Sequence, residues 1–165
     1  MSDELGDITA CYTIRYERQS KHAPARLWRA ITDSAEVSRW MSRSARIDLR
    51  VGGDYFVQFE PGAGVLDGVI VRAEPERNLA YVWGLSVVEW TIEPDGDGSR
   101  YSFVHHGMSV RGLPDEEGVA SGWHVWLDDF ERHLSGKAPD PGGSARFEAL
   151  SPPYRERLEA VLGPL

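Results

Sequence analysis

Apolar and polar positions alternate with a period of two along most of the first two thirds of the chain, and with a helical period after that. From Thr9 to Gln19, Tyr12, Ile14 and Tyr16 share one face while Thr13, Arg15 and Glu17 share the other, as in a half-buried strand. Pro24 suits the first turn of a helix, where its missing N–H leaves nothing unpaired, and Leu27, Trp28 and Ile31 follow at helical spacing. Asp33 with Glu36 has the form of a capping box for a second short helix carrying Val37, Trp40 and Met41. From Ser44 to Gly107 the pattern is strands and turns. Gly52-Gly53 precedes the run of Tyr55, Val57 and Phe59, and Val69 and Val71 share a face before a turn at Pro75. The Tyr81/Trp83 strand follows, then Val88, Trp90 and Ile92, and finally Tyr101, Phe103 and His105. Asp95-Gly96-Asp97-Gly98 is a hairpin turn, and the short links predict antiparallel pairing in sequence order.

Residues 115–135 change period. Val119, Trp123, Trp126, Leu127, Phe130 and Leu134 form one stripe, with His124, Asp128, Asp129 and Glu131 largely off it, which predicts a long amphipathic helix ending at Gly136. This divides the chain into a domain over 1–136, a Pro/Gly-rich linker over 137–150 and a short helical tail over 151–165. Ser151 would cap the tail, Pro152 would open it, and Tyr154, Leu158, Val161 and Leu162 would lie along one face. Such a tail would pack on the domain or on a second copy.

A 165-residue chain with 41% hydrophobic and 27% charged residues is long enough for one globular core. Its 17 aromatic residues, six of them Trp, either fill that core or line a pocket within it. A net charge of −8 without any run of Lys or Arg argues against nucleic acid and anionic membranes as partners. No window approaches the ~18–20 apolar residues of a membrane span, and the acidic start lacks the pattern of a signal peptide, so a cytoplasmic location is expected. The single Cys11, in a strand-like stretch, is read as a packing residue.

Strand, two short helices, six strands and a long helix, in that order, resemble the START-like or SRPBCC superfamily. Within it the chain is similar to the C-terminal domain of the activator of heat-shock-protein-90 ATPase, the AHA family. The residues behind this are Ala23-Pro24 with Leu27-Trp28 and Ile31-Thr32-Asp33, Trp40, Val51-Gly52-Gly53, Val88-Glu89-Trp90, the run Ser99–Gly107, and Gly122-Trp123 with Leu127 and Phe130. The resemblance covers roughly residues 9–136. It implies an α+β helix-grip fold, with a curved seven-stranded antiparallel sheet wrapped around the long C-terminal helix and an interior cavity between them. Superfamily members bind lipids, hormones or polyketides, and some catalyse cyclisation. The chain departs from many relatives in carrying Met41 where they have a second Trp. The eukaryotic co-chaperone also has an additional N-terminal domain for chaperone contact, which the eight or so residues before the first strand do not supply.

On parity, Trp83, Trp90, Tyr101, Phe103 and His105 face the long helix. With Trp40, Tyr55, Trp123, Leu127 and Phe130 they form the candidate ligand-binding set. A small hydrophobic or amphipathic ligand between sheet and helix is the first functional reading. An enzyme is the second, with His105 as acid/base and Tyr101 or Glu89 assisting. A co-chaperone-like interaction module is the third, through the Tyr154/Leu158/Leu162 face, and a homodimer through the tail is a separate expectation. A hydrogen-bonded core histidine remains the plainer reading of His105.

Other motifs fail in their context. Neighbouring His105 and His106 point to opposite faces of a strand, and the i,i+4 pairs His124/Asp128 and Asp129/His133 lack a third ligand. They read as solvated charge pairs, with no metal expected. Gly62-Ala63-Gly64 with Gly68 mimics a dinucleotide fingerprint but runs into a strand. Asp95-Gly96-Asp97-Gly98 lacks the later ligands of a calcium loop, and no Gly-x-Ser-x-Gly elbow exists. No cofactor is implied.

Overall fold

The computed structural model describes residues 7–9, 13–62, 64–107 and 113–162, leaving aside the side chains of residues 7–9, 113–117 and 162. Cys11 and Tyr12 therefore lie outside the described residues. The elements run β1 (Asp7–Thr9), β2 (Thr13–Ser20), α1 (Pro24–Thr32), α2 (Ser34–Trp40), β3 (Ser44–Ile47), β4 (Asp54–Gln58), β5 (Val65–Glu74), β6 (Asn78–Trp83), β7 (Ser86–Asp95), β8 (Gly98–His106), α3 (Leu113–Leu134) and α4 (Gly143–Leu162). The strands form one antiparallel sheet in the order β1-β2-β8-β7-β6-β5-β4-β3. The seven expected strands are β2 to β8. The stretch expected as one strand over Thr9–Gln19 instead belongs to a hairpin whose short first arm, β1, adds an edge beside β2. The chain is α+β with a helix-grip arrangement.

Local chemistry accounts for the helix boundaries. Pro24 stands at the first turn of α1. Asp33 caps α2, its Oδ1 accepting the Glu36 N–H at 3.0 Å. The reciprocal half of the capping box is not made. The Glu36 carboxylate instead takes Arg26, Arg29 at 2.8 Å and His133 at 2.9 Å, tying α1 and α2 to the end of α3. Burial pushes that carboxyl up, but the hydrogen bonds from His133 and Arg26 outweigh it and hold the group below its ordinary range. Gly136, at φ 74°, ends α3: its N–H meets the His133 carbonyl and the Lys137 N–H meets that of Arg132, both at 2.9 Å. These two bonds satisfy carbonyls that a helix end leaves open.

Two expectations for the C-terminal third are corrected. The stretch over 137–150 is not linker throughout, because α4 begins at Gly143 and carries Ser151, Pro152 and Pro153 in its interior. The two prolines leave the carbonyls of Glu148 and Ala149 without helical donors, and both residues are exposed, where water serves them. Ser151 turns its hydroxyl back to the Phe147 carbonyl at 3.0 Å rather than capping a helix start. The pairs His124/Asp128 and Asp129/His133 are not solvated either: all four residues are at most 8% exposed. α4 covers the second face of α3, with Leu150, Tyr154 and Leu158 buried. Of the apolar face read as a chaperone or dimer contact, Tyr154 and Leu158 pack on the chain's own domain, while Val161 is exposed.

The near-dinucleotide glycine run also finds its reason. Gly68 sits in β5 ahead of the register shift at Ile70/Arg72, and a Cβ there would stand 2.5 Å from the Val82 carbonyl oxygen of β6. Only glycine allows that backbone approach. We expect Gly68→Ala to destabilise the fold by about 1–3 kcal/mol, measured as a lower midpoint of urea unfolding. An unchanged midpoint would mean that β5 and β6 are not in this register.

Candidate functional site

Six of the ten expected site residues lie on the sheet, Trp40 on α2, and Trp123, Leu127 and Phe130 on α3. Trp40, Tyr55, Trp90, Tyr101, Phe103, His105, Trp123, Leu127 and Phe130 are buried, and Trp83 is half-buried. Over the middle of the interface the two walls touch. Phe103 and Trp123 have ring centroids 4.2 Å apart, Trp90 and Phe130 5.2 Å, and Tyr101 and Phe130 5.6 Å. Trp40 of α2 closes the same group, 5.1 Å from Phe130. This part of the set is packed core.

Two members of the set serve α1. The Trp40 indole N–H donates to the Ala30 carbonyl and the Tyr55 hydroxyl to that of Ile31, both at 3.0 Å. Those carbonyls belong to the last turn of α1, which has no donors of its own for them. Tyr55 is further held by stacking on Tyr81, 3.8 Å between centroids. Three polar tips of the core have no hydrogen-bond partner in the described protein: the Tyr81 and Tyr101 hydroxyls and the Trp90 indole nitrogen.

His105 sits in a closed hydrogen-bond chain. The Trp123 indole N–H donates to its Nδ1 at 3.0 Å, while its Nε2 lies 2.6 Å from the Ser86 hydroxyl oxygen. Ser86 in turn donates to the Trp83 carbonyl at 2.7 Å. An indole can only donate, so Nδ1 must accept and the proton must be on Nε2, which then donates to Ser86. Burial, assisted by the charge of His106, pushes the imidazole down to about 4. A neutral imidazole has one lone pair to act as a base, and here Trp123 occupies it. Of the two residues named to assist His105, Glu89 lies on the other face of the sheet, as strand parity predicts, with Arg72, Asn78 and His106.

Toward the β6–β7 turn the interface loosens. Phe59, Trp83 and Trp126 are all half-buried. The rings of Phe59 and Trp126 lie nearly parallel, 5.5 Å apart, while Trp83 stands 5.8 Å from Phe59 and 5.0 Å from Trp123. Leu85, at the tip of the β6–β7 turn, is fully exposed. Phe59, Ser86 and Trp126 were absent from the expected set. Trp126 was legible as the helical neighbour of Trp123, and Phe59 as the continuation of the Tyr55/Val57 face; nothing local pointed to Ser86. Among the described residues no group of three or more His, Cys, Asp or Glu could hold a metal ion, and no helix is long and apolar enough to cross a membrane.

A curved antiparallel sheet closed by a long helix, with an aromatic interface between them, defines the helix-grip class. Within it, residues 21–135 match the model of the family described as activator of Hsp90 ATPase homolog 1-like protein, and the chain belongs to that family. Protein MLL2253 from Mesorhizobium loti is similar at 28% identity and TM-score 0.69, covering 74% of this chain and 96% of that one. CalU16 from Micromonospora echinospora is similar at 25% identity and TM-score 0.69, covering 91% and 86%. The Aha1 dimer from Colwellia psychrerythraea shares the fold at 15% identity and TM-score 0.67, covering 74% and 95%. No curated protein matches the chain.

The pH dependence of stability follows from His105. Its folded-state value lies below the ~6.5 of a free histidine, so the unfolded chain takes up this proton first. The contribution is fully present above about pH 6.5 and is lost as pH falls through about 4. It amounts to about 3 kcal/mol. Urea unfolding between pH 7 and 4 should therefore show a steeper loss for the native chain than for His105→Phe, and nitrogen-detected NMR should find the Nε2–H tautomer of His105 still neutral at pH 5. An ordinary titration near 6.5 would overturn the assignment.

Proposed function

We propose that the chain is a cytoplasmic binding module for a small, predominantly hydrophobic or amphipathic molecule, taken up between the sheet and the middle turns of α3. The observation that carries this reading is the half-buried cluster of Phe59, Trp83 and Trp126 beside the exposed Leu85, at the one end of the aromatic interface where the large rings are not fully covered. Ligand pockets combine mostly apolar lining with few polar groups, and here the nearest polar groups, His105 and Ser86, are already engaged with Trp123 and the Trp83 carbonyl. The ligand is therefore held by ring contact more than by hydrogen bonds. The hydrogen-bonding state of His105 favours binding over acid/base catalysis. A homodimer is a separate proposal, supported only by a relative of the same fold that is described as a dimer, and the mass in solution tests it.

Tryptophan fluorescence titrations with a panel of fatty acids, sterols and planar aromatic compounds test the reading. A binder should saturate and quench, and Trp126→Ala or Phe59→Ala should each weaken it about tenfold, the size of one lost aromatic contact with its buried area. Absence of any saturable ligand, or affinities untouched by both substitutions, would remove the proposal.

A further inference from the structure

A concavity lies toward the C-terminal end of α3, apart from the aromatic cluster. It is a cleft of about 790 Å³ between the end of β2 and the last turns of α3, flanked by the loop that follows that helix. Every described residue on its wall is polar, so an apolar guest would have to strip water from charged groups. The chain has two lysines, Lys21 and Lys137, and both line this cleft although they are far apart in sequence. The wall holds one more cation than anion, in a chain whose net charge is −8.

The acids and bases of the wall are not equally engaged. Asp128 is paired with Arg18 at 2.8 Å and has Arg146 at 3.7 Å. Glu131 accepts the Ser20 hydroxyl at 3.1 Å through Oε2, Asp140 accepts the Gly142 N–H at 2.9 Å, and Glu17 has Arg15 at 3.7 Å, while Glu131 Oε1 and Asp128 Oδ2 accept no hydrogen bond among the described residues. Among the described residues, in contrast, Lys21, Arg132 and Lys137 form no ion pair; Arg132 donates only its Nε, to the Ala138 carbonyl at 2.8 Å. Arg18 adds a buried donor. Its side chain is 6% exposed, and its Nε has no hydrogen-bond partner.

We propose that this cleft binds a small polyanion, a phosphate ester or a di- or tricarboxylate, whose charges are met by Lys21, Arg132 and Lys137. Cations in this place also complement the negative end of α3, a role that needs no ligand, and the two roles separate by experiment. The full chain is titrated calorimetrically with inorganic phosphate and with citrate, against sodium chloride at equal ionic strength. Saturable binding is expected for at least one of them, weakened tenfold or more in the Lys21→Ala/Lys137→Ala variant and retained in Lys21→Arg/Lys137→Arg. Arg46→Ala, at an exposed site remote from the cleft wall, should bind as the native chain does, and the unfolding midpoint in chloride should be the same for the native chain and the alanine variant. Preference for phosphate identifies the ester class and preference for citrate the carboxylate class. Binding of neither, equal affinity in the alanine variant, or an equal loss in Arg46→Ala would overturn the proposal. None of these results bears on the aromatic cluster.

Discussion

The contact of Trp123 with Phe103, 4.2 Å between ring centroids, sets how closely α3 can lie on the sheet, and much else follows from that spacing. Full burial of a large side chain contributes roughly 1.5–3 kcal/mol, and Trp123 is 2% exposed. Its ring is fixed in azimuth as well, because the indole N–H has a single acceptor within reach, the Nδ1 of His105. With Trp123 so placed, Leu127 and Phe130 come one and two turns later onto the same wall, and Phe130 meets Trp90, Tyr101 and Trp40. The helix is thus gripped along its length by contacts that allow little sliding.

A helix packed on one side only would leave His124, Asp128 and His133 in water. Here all three are paired inside, each with a different element: His124 with the Tyr154 hydroxyl of α4 at 2.9 Å, Asp128 with Arg18 of β2 at 2.8 Å, and His133 with Glu36 of α2 at 2.9 Å. Buried ion pairs of this kind roughly break even against apolar packing, but removing one partner costs several kcal/mol. Their effect is therefore on specificity: α3 tolerates one rotation relative to β2 and α4, the one that brings Asp128 to Arg18.

Most of the fold was legible because strand alternation and the Trp123 stripe are local patterns with one buried face. The start of α4 was not, since Ser151-Pro152 is the usual form of a helix beginning and only tertiary cover over Gly143–Leu150 overrides it. The burial of His124 and Asp128 was hidden for the same reason. A period of 3.6 identifies the face toward the sheet but cannot announce a second element on the other side. The ten expected site residues were placed on the right surfaces, yet parity fixes direction and not distance. It therefore could not tell that Trp90, Phe103 and Phe130 meet while Phe59, Trp83 and Trp126 stand partly open. Ser86 follows a two-residue turn, and its link to His105 depends on cross-strand register.

The chemistry of α3 changes along its length, and the two ends of the interface differ accordingly. Its middle turns present Trp123 and Trp126 to Trp83 of β6 and to Phe59 just after β4. Its second half adds Asp128, Glu131 and Arg132 to the polar end of β2. Between them the closed core of Trp90, Tyr101, Phe103, Leu127 and Phe130 keeps the aromatic and the charged surroundings of the helix apart. Burial lowers the imidazole of His105 on the aromatic side and raises the carboxyl of Glu131 on the other, in each case disfavouring the charged form. The difference is that Glu131 has Ser20, Arg18 and Lys21 to offset its burial, whereas the indole N–H that Trp123 donates to His105 is compatible only with a neutral ring. Histidine there is a structural acceptor for Trp123, and the same bond that orients the gripping helix is what takes the ring out of acid/base chemistry.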